Sequence, residues 1–270
     1  MKGISLHIGL NAVDPNHYGG WDGQLSACEL DAGKMLAIAD SEGYISKSLL
    51  SGNATRKNVI SAISKAAGDL EEGEIFLLTY SGHGSQVPDQ NGSEPDFLDE
   101  TWCLYDGQFI DDELYHLWSH FAAGVRIVVL SDSCHSGSVI KALKLIDGKC
   151  EVTDTPRNTP DSVALNTYLL NKAFYDQLLS NIPPKTKAPI KASVRLISGC
   201  QDNQLSYENA YGGYFTNAVT DVWNGGRFVG NYSTFHQRIV ARLPQYQSPN
   251  HMIVGTRIPA FDNSKPFKIQ

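Results

Sequence analysis

At 270 residues, 41% of them hydrophobic, the chain is long enough to close one large core, and one α/β unit fits better than two small domains. Its 22 basic and 29 acidic side chains leave a formal charge of −7, which excludes general nucleic-acid or anionic-membrane binding and mildly attracts basic peptides. The cysteines, Cys28, Cys103, Cys134, Cys150 and Cys200, are too few and scattered for a disulfide scaffold, form no CxxC pair, and point to a reducing compartment.

Ile4 to Leu10 reads as a strand. The N-terminus has neither the continuous apolar core nor the small-residue cleavage site of a signal peptide, and no stretch approaches the roughly 18 apolar residues of a membrane span. The expected location is the cytoplasm. A glycine-rich loop, Tyr18 to Gly23, leads into a helical pattern from Gln24 to Ala39, with Leu25, Cys28, Ala32, Met35 and Leu36 on its apolar face. Thr55 is an N-cap candidate for a second helix, Lys57 to Leu70.

Two segments then repeat one arrangement. Ile75-Phe76-Leu77-Leu78 is an unbroken apolar run that ends in Ser81-Gly82-His83-Gly84. Ile127-Val128-Val129-Leu130 ends in Asp132-Ser133-Cys134-His135-Ser136-Gly137. Such runs, bounded by polar glycine loops, are expected of central parallel strands covered on both faces, with a helix from Asp111 to Phe121 between them. Ligand sites in such sheets lie beyond the carboxyl ends of the strands, where both loops fall.

From Lys141 to Lys191 the pattern weakens. Thr153 to Pro160 reads as a polar exposed loop, Asn166 to Leu179 as a helix and Ile182 to Lys187 as a linker. Val194 to Ser198 is a further strand; Tyr214 to Trp223 and Phe235 to Leu243 are helices.

A cysteine beside a strand is ordinarily a small buried hydrophobe, and a histidine in a glycine turn ordinarily shapes that turn. Together the two are more informative. Adjacent parallel strands lie about 4.8 Å apart, so the loops carrying His83 and Cys134 face one cleft as base and nucleophile. His135 reads as a rim residue.

Tyr80-Ser81-Gly82-His83-Gly84-Ser85-Gln86 and Asp132-Ser133-Cys134-His135-Ser136-Gly137 resemble the two hallmark motifs of metacaspases and their bacterial relatives, the orthocaspases, among the caspase-like cysteine peptidases. The resemblance continues through Cys28-Glu29-Leu30-Asp31-Ala32, Asp99-Glu100, Ile110-Asp111-Asp112-Glu113-Leu114, Ser198 to Gln204, Gly212 to Thr216 and Gln247-Ser248-Pro249, and so covers nearly the whole chain. It implies a caspase-like three-layer α/β sandwich: a largely parallel central sheet flanked by helices. The expected organisation is one domain over 1–270, with a large-subunit-like portion 1–140, a processing or linker region 141–191 and a small-subunit-like portion 192–270. It further implies that Cys134 attacks the peptide carbonyl, that His83 moves the protons, and that the backbone N–H groups of Gly84 and Cys134 receive the oxyanion.

In that family the residues matching Cys28, Asp31, Ser81 and Asp132 line the pocket for the side chain before the cut. Two carboxylates there welcome Arg or Lys, so cleavage after a basic residue is expected. Asp202 reads either as a cleft residue or as a turn cap. Asp99, Asp111 and Asp112 match three of the four aspartates that hold an activating Ca²⁺ in many metacaspases. The fourth position, seven residues after Cys134, is Lys141, whose charge opposes a cation shell; no cofactor is expected to be required.

The resemblance also implies self-processing, for which Lys149, Arg157, Lys185 and Lys187 are candidate sites, Arg157 being the most exposed in this reading. The expectation is a monomeric endopeptidase acting on exposed Arg or Lys in peptides and proteins, without nucleic-acid or membrane partners. A catalytically quiet scaffold and a cysteine hydrolase of non-peptide amides or thioesters remain as alternatives.

Overall fold

The fold is that of a computed structural model describing residues 1–89, 97–134, 154–183, 189–201 and 204–270. In chain order, β1 (Gly3–Gly9) leads to α1 (Cys28–Ser41), β2 (Ile45–Leu50) and α2 (Arg56–Asp69). β3 (Ile75–Ser81) is followed by three antiparallel strands, β4 (Gly84–Pro88), β5 (Leu98–Leu104) and β6 (Gly107–Ile110), then by α3 (Asp111–Trp118) and β7 (Arg126–Asp132). The second half comprises β8 (Thr155–Pro156), α4 (Asp161–Leu170), α5 (Lys172–Asn181), β9 (Ser193–Ser198), β10 (Tyr207–Asn209) and β11 (Gly212–Gly213). It closes with α6 (Tyr214–Trp223), α7 (Tyr232–Val240), β12 (Asn250–Gly255) and α8 (Pro259–Asp262).

The main sheet has six strands in the order β12-β9-β7-β3-β1-β2, all parallel except β12. The unbroken apolar runs have the expected cause, burial on both faces. Phe76, Leu78, Ile127 and Val129 pack with Val59 and Ile63 of α2, whereas Ile75, Leu77, Val128 and Leu130 pack with Met35 of α1, Phe215 and Val219 of α6 and Phe235 of α7. Each such side chain contributes about 1.5–3 kcal/mol by leaving water. This is the expected α/β sandwich with a largely parallel sheet.

Local chemistry sets the helix ends. Thr55 caps α2 by accepting the Asn58 amide at 3.3 Å. α1 begins at Cys28 rather than Gln24 because a distant side chain caps it: Asn11 Oδ1 accepts the amides of Cys28 and Glu29 at 2.9 and 3.2 Å. Asn11 follows β1, so this cap holds the first turn of α1, and Asp31 with it, at the carboxyl end of the sheet. The single helix expected over Asn166 to Leu179 is two helices broken at Asn171, whose side chain donates to the His17 carbonyl at 2.9 Å. Among the described residues no helix is long and apolar enough to cross a membrane.

Candidate active site

β3 and β7 are adjacent and parallel, with Ser81 opposite Asp132 in the ladder. The chain beyond each strand therefore emerges on one side, carrying His83 from β3 and Cys134 from β7. Gly84 is where the two loops meet. A Cβ there would lie 1.7 Å from the Cys134 carbonyl oxygen, so a side chain at this position would force the loops apart. Both His83 and Cys134 are buried.

What buries them is the chain itself. Expected as an exposed loop, Thr155 and Pro156 instead form β8, antiparallel to β10, opposite Glu208 and Tyr207 respectively. The Arg157 amide continues this pairing by donating to the Ser206 carbonyl at 2.9 Å. The Arg157 carbonyl oxygen then accepts two amides, from Gly84 at 3.0 Å and from Cys134 at 3.2 Å. The Thr159 amide donates to the Gly84 carbonyl at 2.9 Å, which holds the chain on the far side. Cys134 Sγ lies against the Ser206 backbone, 3.3 Å from its carbonyl oxygen, and also accepts the Ser206 amide.

The expectation of an exposed Arg157 is corrected by its 0% exposure. Its guanidinium fills a pocket of three carboxylates: Nη2 lies 2.6 Å from Asp31 and 3.0 Å from Glu208, and Nη1 lies 2.9 Å from Asp132. Nη1 also donates to Ser81 Oγ at 2.8 Å, and Nε to Glu208 at 3.2 Å. A polar, proline-flanked segment reads as solvated, but a buried guanidinium needs only enough acceptors to offset its desolvation. Asp31, Ser81, Asp132 and Cys28 thus converge as grouped from the sequence, Cys28 Sγ donating to Glu208 at 3.5 Å.

Glu208 was missed, since a three-residue strand carries no periodic signal. The acidic pair already recognised, together with the Ser206-Tyr207-Glu208 stretch opposite the segment before a basic residue, could have exposed it.

Each carboxylate has its own support. Asp132 accepts the Thr216 amide and hydroxyl at 3.1 and 2.7 Å and the Ser206 hydroxyl at 2.6 Å; Asp31 accepts the Gly213 amide at 2.9 Å. Burial raises the Asp31 pKa above its ordinary value and Asp132 reinforces this, against the pull of Arg157. Glu208 goes the other way: burial opposes its charge, but Arg157 and the Ser26 donors hold its carboxyl below the usual range. Three carboxylates around one guanidinium leave an excess of negative charge in the pocket.

The His83 ring packs on Trp21, centroids 4.8 Å apart. Burial, then the charge of Arg157, lowers its pKa from 6.5 to about 4, although the backbone carbonyls of Gly23 and Asn158 favour its protonated form. Those carbonyls lie close to the ring, but among the described residues neither ring nitrogen has a partner at full hydrogen-bond geometry. The imidazole is therefore neutral at pH 7 and able to accept a proton. Burial pushes the Cys28 thiol well up and the Cys103 thiol up to about 12.

Asp99 on β5 and Asp111 and Asp112 at the start of α3 come together with carboxylate oxygens within 4.8 Å of one another. Three hard oxygen donors suit Ca²⁺ chemistry, and these are the residues that would hold it. Lys141, Lys149, Lys185, Lys187, His135 and Asp202 lie outside the described residues.

A family model described as the caspase domain matches residues 12–268. The chain belongs to the caspase family. Metacaspase-1 of Schizosaccharomyces pombe is 28% identical over 198 residues, covering 62% of this chain and 45% of that protein. Metacaspase-1 of Coccidioides immitis is 31% identical over 154 residues, or 52% of this chain and 32% of that protein. This caspase-family chain thus spans less than half the length of these curated relatives. Among solved structures, protein GSU0716 from Geobacter sulfurreducens is 51% identical with a TM-score of 0.90, each chain covered in full. Caspase-1 from Spodoptera frugiperda superposes with a TM-score of 0.56 at 10% identity, over 94% of this chain and 86% of that one, a likeness of fold alone.

Proposed function

We propose that this chain is a cysteine endopeptidase that cleaves after Arg, and more slowly after Lys, and that its first substrate is its own Arg157–Asn158 bond. One observation carries the reading: the Arg157 carbonyl oxygen accepts the Gly84 and Cys134 amides while its guanidinium sits among Asp31, Asp132 and Glu208. An extended peptide paired to a strand, its side chain pocketed and its carbonyl polarised, is how a protease holds a substrate.

In this mechanism Cys134 Sγ, its proton passed to His83, attacks the Arg157 carbonyl carbon. The developing oxyanion stays on the Gly84 and Cys134 amides, and His83 returns the proton to the Asn158 nitrogen as the C–N bond breaks. Water, deprotonated by His83, then releases the new Arg157 carboxylate from the thioester. No step passes through a metal. Calcium at Asp99, Asp111 and Asp112 would supply charge neutralisation between β5 and α3, and the lysine at position 141 is the reason activity is not assigned to it. The two fragments stay associated, since β7 from the first half and β9 from the second are hydrogen-bonded neighbours. A reducing, cytoplasmic setting and a monomer belong to this reading.

The test compares fluorogenic peptides ending in Arg, Lys or Asp, with wild type and Cys134→Ala, alongside intact-mass analysis of each protein. Hydrolysis after Arg and a cut at Arg157, both absent from the variant, are expected. The filled cleft favours one second reading, a catalytically quiet scaffold. An uncut wild-type chain that hydrolyses no peptide would overturn the peptidase reading in favour of the scaffold or of a hydrolase of non-peptide substrates.

A further inference from the structure

The segment in the cleft is gripped at a second side chain, and its chemistry is the opposite of the first. Asp154 is the fourth residue before the cut in the order Asp154-Thr155-Pro156-Arg157. Its Oδ2 accepts the Tyr214 hydroxyl at 2.5 Å. Tyr214 opens α6, directly after Gly213, whose amide donates to Asp31 in the basic pocket. The two subsites therefore share one short stretch of backbone, and the spacing between them is set by the fold. Asn209 closes β10, the strand that pairs with β8, and its Oδ1 accepts the Tyr211 amide at 2.9 Å, which shapes the turn leading to Gly213 and Tyr214. Tyr207 and Tyr246 pack edge to face with centroids 5.5 Å apart, and burial first, with the Asp154 charge adding to it, raises the pKa of both.

Resting on the peptidase reading above, we infer that Tyr214 forms a subsite that selects substrates with an acidic residue four positions before the cut, giving the recognition pattern acid-x-x-Arg. The cleft is acidic elsewhere, since Asp31, Asp132 and Glu208 lie along it. An acid at this fourth position is accepted because the hydroxyl donor is aimed at it and the paired aromatics take the place of a fourth carboxylate. A phenol hydroxyl donates to a carboxylate more strongly than to an amide, so an Asn substrate of the same shape binds less well. A Lys at this position leaves the donor facing a donor.

The full chain, incubated until the Arg157–Asn158 cut is complete by intact mass, is assayed with four fluorogenic peptides: Asp-, Asn-, Ala- and Lys-Thr-Pro-Arg. Wild type is expected to prefer Asp over Asn by about tenfold in kcat/KM, mostly through KM, with Lys poorest. In Tyr214→Phe the ratio of Asp to Asn falls to about one, while the preference for Arg over Lys before the cut is retained. Equal rates for Asp and Asn in wild type, or an undiminished ratio in Tyr214→Phe, overturn the subsite and leave the peptidase reading standing. A chain that cuts itself but hydrolyses none of the peptides also overturns it, because Tyr214 then serves only the tethered segment. Absence of both self-cleavage and hydrolysis removes the peptidase reading and the subsite with it.

Discussion

The Gly84 amide donates to the Arg157 carbonyl oxygen over 3.0 Å, and the Thr159 amide donates back to the Gly84 carbonyl over 2.9 Å. The bond between Arg157 and Asn158 is thus fixed on both sides beside Cys134, with none of the entropy cost of bringing in a free peptide.

On the proposed peptidase reading, a cut after Arg157 is the first event to measure. Wild-type chain is expected to give two fragments divided after Arg157, and Cys134→Ala a single uncut chain, by intact mass. Arg157→Lys slows the cut at least about tenfold, because one ammonium cannot meet the three carboxylates that the planar guanidinium forks between. Arg157→Ala is not cut at this bond. A cut that survives Arg157→Ala at the wild-type rate contradicts the assignment.

Glu208 should matter as much as the two aspartates. Its Oε2 lies 3.0 Å from Nη2 and 3.2 Å from Nε of Arg157, so Glu208→Gln removes one charge while preserving shape. The expected loss is about 10- to 100-fold in kcat/KM for Arg peptides, carried chiefly by KM, corresponding to a charge-assisted hydrogen bond of about 1.5–3 kcal/mol. Lys peptides lose less, having no fork to satisfy. An unchanged KM would place Glu208 outside recognition.

The pH dependence follows from His83. Its pKa of about 4 in the filled cleft means that the imidazole is neutral, and able to take the thiol proton, at every pH above that value. As pH falls through about 4 the ring is protonated and the self-cut slows. With the segment displaced, both causes of the lowering, burial and the Arg157 charge, are relieved, and the ring is expected to titrate above its value in the filled cleft. The acid limb for added peptides, read in kcat/KM, is expected above that of the self-cut. Coincident limbs in the two pH–rate profiles would show that the segment does not set the histidine's environment.

Chelation supplies a further check. With a lysine at the fourth family position, activity after EDTA treatment and after added Ca²⁺ is expected to agree within about twofold. A tenfold or greater rise on adding Ca²⁺ would make Asp99, Asp111 and Asp112 an activating site, and Asp112→Asn would then abolish the rise.

Much of this molecule is local and was therefore legible in the sequence. Ile75 to Leu78 and Ile127 to Leu130 announce strands buried on both faces, because an unbroken apolar run has no other stable place in a soluble sheet. Thr55 marks the start of α2 because its hydroxyl reaches an amide within the same turn. The order of the two loops, each after its strand, places His83 and Cys134 beyond adjacent parallel strands, as the pairing of β3 with β7 has it. What the residues around Arg157 do is not local. Thr153 to Pro160 has the composition of a solvated loop, and its burial depends on Asp31, Asp132 and Glu208 arriving from α1, β7 and β10. Those carboxylates tolerate one another only around a guanidinium, and a guanidinium leaves water only for such a cage. Tertiary structure alone decided that arrangement, since neither partner's burial is favourable until the other is in place.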